Sequence, residues 1–172
     1  MMDFLKQLPH IEPYGNPQYF VYVITATLPI FIGLFFKKRF AWYEMLVSLF
    51  FIVTMLTGGK TNQLAALGIY LCWEILLLLF YKHYRKSKDG KWVFYLVSFL
   101  SLLPIIFVKV QPAINGTQSL FGFLGISYLT FRSVGIIIEL RDGVIKDLKI
   151  WEYLRFLLFM PTFSSGPIDR FK

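Results

Sequence analysis

An all-α, polytopic membrane fold is what this sequence predicts, on three observations. Five apolar runs of 17 to 21 residues recur along its 172 residues. The segments between them alternate between strongly cationic and nearly uncharged. No run shows the period-2 alternation of a membrane barrel, and in lipid only helices and closed barrels satisfy their own backbone. Composition agrees. Hydrophobic residues make up 56% and charged residues 16%, against roughly 45–50% and 25% in soluble domains. The net charge of +8 would point to nucleic acid in a soluble protein. Here the basic residues sit between spans, so membrane topology and lipid headgroups account for them, and no nucleic acid partner is expected.

The runs cover 19–36, 40–56, 63–81, 92–108 and 120–140. Each suits a helix crossing a hydrocarbon layer of about 30 Å. Pro29 and Pro104 fall inside runs and predict kinks rather than ends. Trp42, Tyr43, Tyr81, Trp92 and Tyr95 lie at run ends, where an aromatic belt places them. Cys72 reads as a small buried hydrophobe, since one thiol makes no intrachain disulfide and no metal-ligand spacing surrounds it. No metal site is expected. The first 18 residues read as a tail or a short interfacial helix, 19–140 as the bundle, and 141–172 as a charged turn followed by a short interfacial or re-entrant helix.

The connectors set the expected sidedness. Lys37, Lys38 and Arg39 follow the first run, and Lys82, Arg85, Lys86, Lys88 and Lys91 follow the third. Arg141, Lys146 and Lys149 follow the fifth, whereas the second and fourth connectors carry only Lys60 and Lys109. Eleven basic residues against two predicts that the odd connectors are cytoplasmic and the N-terminus outside.

Polar residues inside spans mark function or fold, because each costs free energy there. Arg132 lies near the centre of the fifth run, at a cost of about 2.5–3.5 kcal/mol on insertion scales. Its expected partner is Glu74 of the third run or the carbonyls of a broken helix. Two readings stay open: a buried ion pair that fixes register, or a group lining a hydrophilic tunnel. Glu74 also has the setting of a proton carrier. Glu44 is expected to reach the headgroups or the Lys37–Arg39 cluster, and Glu139 is expected to be an ordinary span-end acid. The apolar segment 151–160 is too short to span, and Pro161 ends it. The following Ser164, Ser165, Gly166 and Pro167 cannot face lipid. His10 and His83 have no triad partners at a fitting spacing, and no nucleotide, zinc-protease or nucleophile-elbow motif occurs.

Two segments carry a resemblance. Residues 125–133, GISYLTFRS, are similar to the GISF-x-TF segment of membrane-bound O-acyltransferases, and residues 159–171, FMPTFSSGPIDRF, resemble that family's FFP-x-x-x-x-GPI-x-RF segment. Their order and the charged turn between them also match. Arg132 and the SSGPIDRF wording fit best the branch that transfers D-alanyl groups to teichoic acids. The resemblance implies a bacterial, multi-pass plasma-membrane acyltransferase. Its donor is a D-alanyl thioester on an acidic phosphopantetheine carrier protein in the cytoplasm, and its acceptor is a teichoic acid hydroxyl outside, with no cofactor bound directly. It implies tunnel walls built from Ser127, Tyr128, Thr130, Arg132, Ser164, Ser165, Gly166 and Pro167, a docking face built from the basic connectors, and possible contact with other proteins of the same pathway. The family's catalytic histidine lies well downstream of the second segment. Neither His10 nor His83 matches it, so this chain is expected to hold no catalytic residue, to be the N-terminal part of such an enzyme, and to be inactive alone. A transporter or channel subunit using Glu74 and Arg132, and a non-catalytic membrane scaffold, are the alternatives from other classes.

Overall fold

The computed structural model describes residues 17–37, 40–57, 62–87, 90–116, 121–163 and 170–171. Among them there is no strand. Six α-helices follow in order: α1 Pro17–Phe35, α2 Ala41–Thr57, α3 Asn62–Ser87, α4 Lys91–Asn115, α5 Ile126–Arg141 and α6 Ile150–Leu157, then a 3-10 turn at Met160–Thr162. The all-α expectation holds. At 1.5 Å per residue, α3 and α4 are about 39 and 37 Å long and α1 about 28 Å. These three are long and apolar enough to cross a membrane, and Ala41–Leu56 within α2 is apolar but shorter. Pro29 and Pro104 lie inside helices, as expected, and α4 continues past Val108 through Pro112 to Asn115. Its end is capped by Gly116 in the left-handed region (φ 66°).

The fifth helix departs from its apolar run. The run begins at 120, but α5 begins only at Ile126, after a turn through Gly125, and is 16 residues long, about 24 Å. It is the interior helix. Eight of its residues are buried, including Thr130, Arg132 and Ser133, and it packs against α3, α4 and α6. Shielding by neighbours is what lets this helix carry polar groups that a lipid-facing helix could not keep. The outer helices show the complementary pattern, with Val21, Phe31, Leu46, Leu76 and Phe99 all pointing outward. An apolar surface of that extent belongs against lipid rather than water.

Two large packed clusters divide the interior. One joins Leu77, Leu78, Val97, Ile136, Ile137 and Leu157, with Tyr81 and Phe94 beside them. The other joins Ile52, Leu56, Leu67, Tyr70, Leu129 and Phe163. Several sequence expectations change here. Cys72 is exposed on α3, because in a bilayer the outward surface is itself apolar and a small hydrophobe has no need of the interior. Tyr81 is buried rather than interfacial, and Tyr43 donates its hydroxyl to the Ala26 carbonyl at 3.0 Å. Trp42, Trp92 and Tyr95 do stand outward. The tail before Pro17 lies outside the described residues, and so does His10.

The ends of the helices that flank the three basic connectors meet at one end of the bundle. Lys82 of α3 pairs with Asp147 at 2.6 Å and also donates to the Leu148 carbonyl at 2.8 Å. Arg85 of α3 donates to the Arg141 carbonyl at the end of α5. Arg141 lies over the Phe94 ring of α4, 4.3 Å from its centroid. Trp42 of α2 packs on Trp151 of α6 with centroids 4.9 Å apart. Lys82 beside Asp147 holds that carboxyl below its ordinary value. The stabilisation from this pair is therefore present above the usual Asp pKa and lost as pH falls through the lowered one. Asp147 is 73% exposed, so the pair is screened and weak. Asp147→Asn is expected to shift the thermal midpoint of the purified protein by no more than about 2–4 °C, because Lys82 keeps the Leu148 carbonyl. Differential scanning fluorimetry checks this, and a larger loss would mean the pair anchors the 142–149 turn.

Candidate functional site

Helix α6 and the segment after it do not stay at the bundle's end. They run inward alongside α2. Trp151 meets Trp42, Arg155 pairs with Glu44 at 2.8 Å, the Met160 amide donates to Ser48 Oγ at 3.2 Å, and Phe163 packs with Ile52 and Leu56. The partners on α2 advance steadily from residue 42 to 52, about 15 Å of helix. The amphipathic face of α6 explains the path. Tyr153 and Leu157 are buried while Ile150 and Trp151 stay outward, and Pro161 stops regular helix where the chain goes in. Glu44, expected at the headgroups or on Lys37–Arg39, is instead the half-buried partner of Arg155. Sequence reasoning had no means of bringing two residues 111 positions apart together.

At the inner end of this path Phe163 meets Gly125, and the two sequence segments touch. Gly125 has φ +92°, and a Cβ there would sit 2.5 Å from the Phe163 carbonyl oxygen and 3.2 Å from its ring. Both the backbone angle and the close approach require glycine. Phe163 is fully buried. A second joint lies further along α5. The Arg132 guanidinium lies over the Phe156 ring at 4.3 Å, Phe156 packs edge-on against Phe171 at 5.3 Å, and the Phe171 amide donates to Glu139 Oε1 at 3.3 Å. Residues on both sides of 164–169 are thus fastened to α5, one near its start and one near its end. Ser164, Ser165, Gly166 and Pro167 themselves lie outside the described residues.

Between these joints the bundle interior holds hydroxyls and one carboxylate. Tyr70 donates to Thr130 Oγ1 at 3.3 Å, and Thr130 in turn donates to the Ile126 carbonyl at 2.8 Å. Ser101 of α4 donates to Glu74 Oε2 at 2.8 Å. Ser133 and Tyr153 hydroxyls lie 2.9 Å apart. Glu74 is buried, and its other oxygen has no hydrogen-bond partner among the described residues. The expected Glu74–Arg132 contact does not form. Arg132 and Ser133 are adjacent on a helix, so they point about 100° apart; Ser133 faces Tyr153 and Arg132 faces Phe156. Of the predicted tunnel residues, Thr130 and Arg132 are buried in this polar interior, whereas Ser127 and Tyr128 are half-buried. Tyr70, Ser101, Ser133 and Tyr153 were not singled out from sequence. Tyr70 and Glu74 lie one turn apart on α3, and Thr130 and Ser133 are i, i+3 on α5, so hydroxyls at helical spacing inside spans were the available signal.

Tyr70 also borders an apolar cleft of about 710 Å³ between α3 and α4, lined by Ile69, Trp73, Pro104, Phe107 and Ile126 among others. At the opposite, basic end, Lys37, Lys82, Arg85, Lys86 and Lys91 are described, while Lys38, Arg39 and Lys88 fall outside the described residues. Lys82 and Arg85 are committed to internal partners. Lys37, Lys86 and Lys91 are exposed.

Gly125→Ala is expected to destabilise the protein by about 1–3 kcal/mol, from the positive φ and the displaced Phe163 carbonyl together. Thermal or denaturant unfolding in detergent measures it, and an unchanged midpoint would show that the two segments are not pressed together at this glycine.

No protein-family model matches the chain. Three curated proteins do, each named teichoic acid D-alanyltransferase. The one from Streptococcus thermophilus is 67% identical over all 172 residues, the one from Lacticaseibacillus rhamnosus 49% over 95% of the chain, and the one from Bacillus subtilis 36% over 94%. The chain spans only 41–42% of the length of these relatives. Its two fastened sequence segments, its apolar helices and this similarity along its length agree: the chain is similar throughout to part of the proteins named teichoic acid D-alanyltransferase.

Proposed function

We propose that this chain is the N-terminal portion of a membrane acyltransferase that moves D-alanine from a carrier-protein thioester to teichoic acid hydroxyls on the far side of the bacterial plasma membrane. The observation that carries the reading is 67% identity over the whole chain to a protein named for that transfer. In the transfer the thioester C–S bond breaks and an ester C–O bond forms. The acceptor's hydroxyl proton passes through a base and ends on the departing thiolate. That base is assigned outside this chain, since neither His10 nor His83 lies on the two fastened segments. What this portion contributes is the wall and the frame. The returning segment fixes α5, and α5 carries Thr130 and the Arg132 cation into the interior.

The basic end is assigned to the cytoplasm and the N-terminus to the outside. Eleven basic residues on the odd connectors against two on the even ones support this, as does the meeting of the ends that flank those three connectors. An acidic phosphopantetheine carrier protein is the partner proposed for that end. Exposed Lys37, Lys86 and Lys91 would steer it electrostatically.

Two measurements test the reading. In a strain whose own teichoic acid D-alanyltransferase gene is deleted, the full-length protein containing this chain is expected to restore D-alanyl esters, quantified as alkali-released D-alanine. Arg132→Leu is expected to lower ester content per unit of protein in the membrane, and Arg132→Lys to rescue only partly, because an ammonium does not reproduce a guanidinium stacked on Phe156. Full ester content with Arg132→Leu would remove Arg132 from the working interior. Separately, after Cys72→Ala, a membrane-impermeant thiol reagent applied to whole cells is expected to label Thr61→Cys and spare Ser87→Cys. The reverse pattern, or equal labelling, would overturn the assigned sidedness.

A further inference from the structure

We infer that the basic end of the bundle holds a specific site for the phosphate of an anionic phospholipid headgroup, in a concave pocket of about 230 Å³ lined by Tyr81, Gly90, Lys91, Phe94, Tyr95 and Arg141. The inference rests on membrane embedding and does not depend on the acyl-transfer reading. Three elements build the pocket: the end of α3, the start of α4 and the last residue of α5. Arg141 is held in place there, with its guanidinium 4.3 Å from the Phe94 centroid and its Nε 2.8 Å from Asp142 Oδ1. Asp142 offsets that one cation. The exposed Lys91 has no ion-pair partner among the described residues, so the described groups at the pocket set two cations, Lys91 and Arg141, against the one acid Asp142. Helix α4 begins beside it at Gly90, with no side-chain cap and no acid in its first turn. Its amide groups and positive dipole end add to the same field.

Depth decides which phosphate. Trp92 is 86% exposed and Tyr95 60% exposed on the first turns of α4. Outward aromatics of this kind sit at the headgroup level of a bilayer, and Leu96 and Phe99 continue the outward apolar surface along the helix. A headgroup phosphate in the pocket therefore has its own hydrocarbon chains lying along α4, which a soluble phosphate lacks. Guanidinium, ammonium and tyrosine hydroxyl are all hydrogen-bond donors, which suits a phosphodiester anion.

The test uses the full-length protein in phosphatidylcholine nanodiscs containing a minor fraction of phosphatidylglycerol. Native mass spectrometry then counts the phosphatidylglycerol retained per protein. Retention of about one molecule is expected. Lys91→Gln is expected to lower retention about tenfold or more, as loss of a charge-assisted contact would, and Lys91→Arg to preserve it. Lys86→Gln, at the same end but outside the pocket, is expected to change it about twofold or less at physiological salt. Arg141→Gln repeats the comparison. Because Arg141 also packs on Phe94, the exposed Lys91 variants decide the matter. Equal losses for Lys86→Gln and Lys91→Gln would reduce the effect to a diffuse field and overturn the site, as would retention unchanged in Lys91→Gln. Displacement of the lipid by an equal concentration of glycerol phosphate would show that the pocket reads phosphate alone, and would overturn the lipid assignment.

Discussion

The close approach of Gly125 to Phe163 is the constraint on which the interior of this protein depends. A chain that has left the bundle at Arg141 and turned back at α6 must be brought inside again. It follows α2 inward, whose successive residues Trp42, Glu44, Ser48 and Ile52 receive it. The path ends where α5 begins, and there the two backbones come closer than any side chain allows. Without a glycine at that point the returning segment would stop short of the interior. Phe163 would then leave a void among Leu56, Leu67, Tyr70 and Leu129, residues it packs with from α2, α3 and α5.

This arrangement explains why α5 can be short and polar. A helix facing lipid needs length and apolarity, and α3 and α4 have both. An interior helix is judged instead by whether each polar group finds a partner. Thr130 has Tyr70 and its own helix, Ser133 has Tyr153, and Arg132 has the face of Phe156. The second joint, through Phe156 and Phe171 to Glu139, does the same at the other end of the helix. Glu139 looks like an ordinary span-end acid in the sequence, and it turns out to hold the backbone of the returning segment.

Helix class, the approximate positions of the first four helices and the grouping of the basic connectors were all legible in the sequence. They follow from the solvent, and hydropathy and charge record the solvent directly. What the sequence did not carry is which side chains meet. Glu74 and Arg132 look like natural partners because each is costly alone. In the folded chain Arg132 turns to the Phe156 ring of α6 while Glu74 accepts from Ser101 of α4. Tyr81 and Cys72 were misplaced for a related reason. At a span end an aromatic residue reads as interfacial, and inside a span a small hydrophobe reads as buried, yet both depend on the helix face, which a uniformly apolar run does not reveal. Low amphipathicity makes a lipid-embedded helix easy to find and hard to orient.

The glycine of the first segment is a different case, because its backbone conformation breaks the apolar run that contains it. The apolar run starts at residue 120, yet regular helix cannot begin before Ile126, since Gly125 stands in the left-handed region. A helix that starts six residues late loses about 9 Å of length, and its leading amide groups then face other protein rather than lipid. That loss is tolerable only if protein covers the exposed backbone. Phe163 and its neighbours supply the cover, and so the second segment is a structural requirement of the first. The two motifs are therefore one unit, and an alteration at Gly125 and one at Phe163 should be read as two ways of disturbing the same contact.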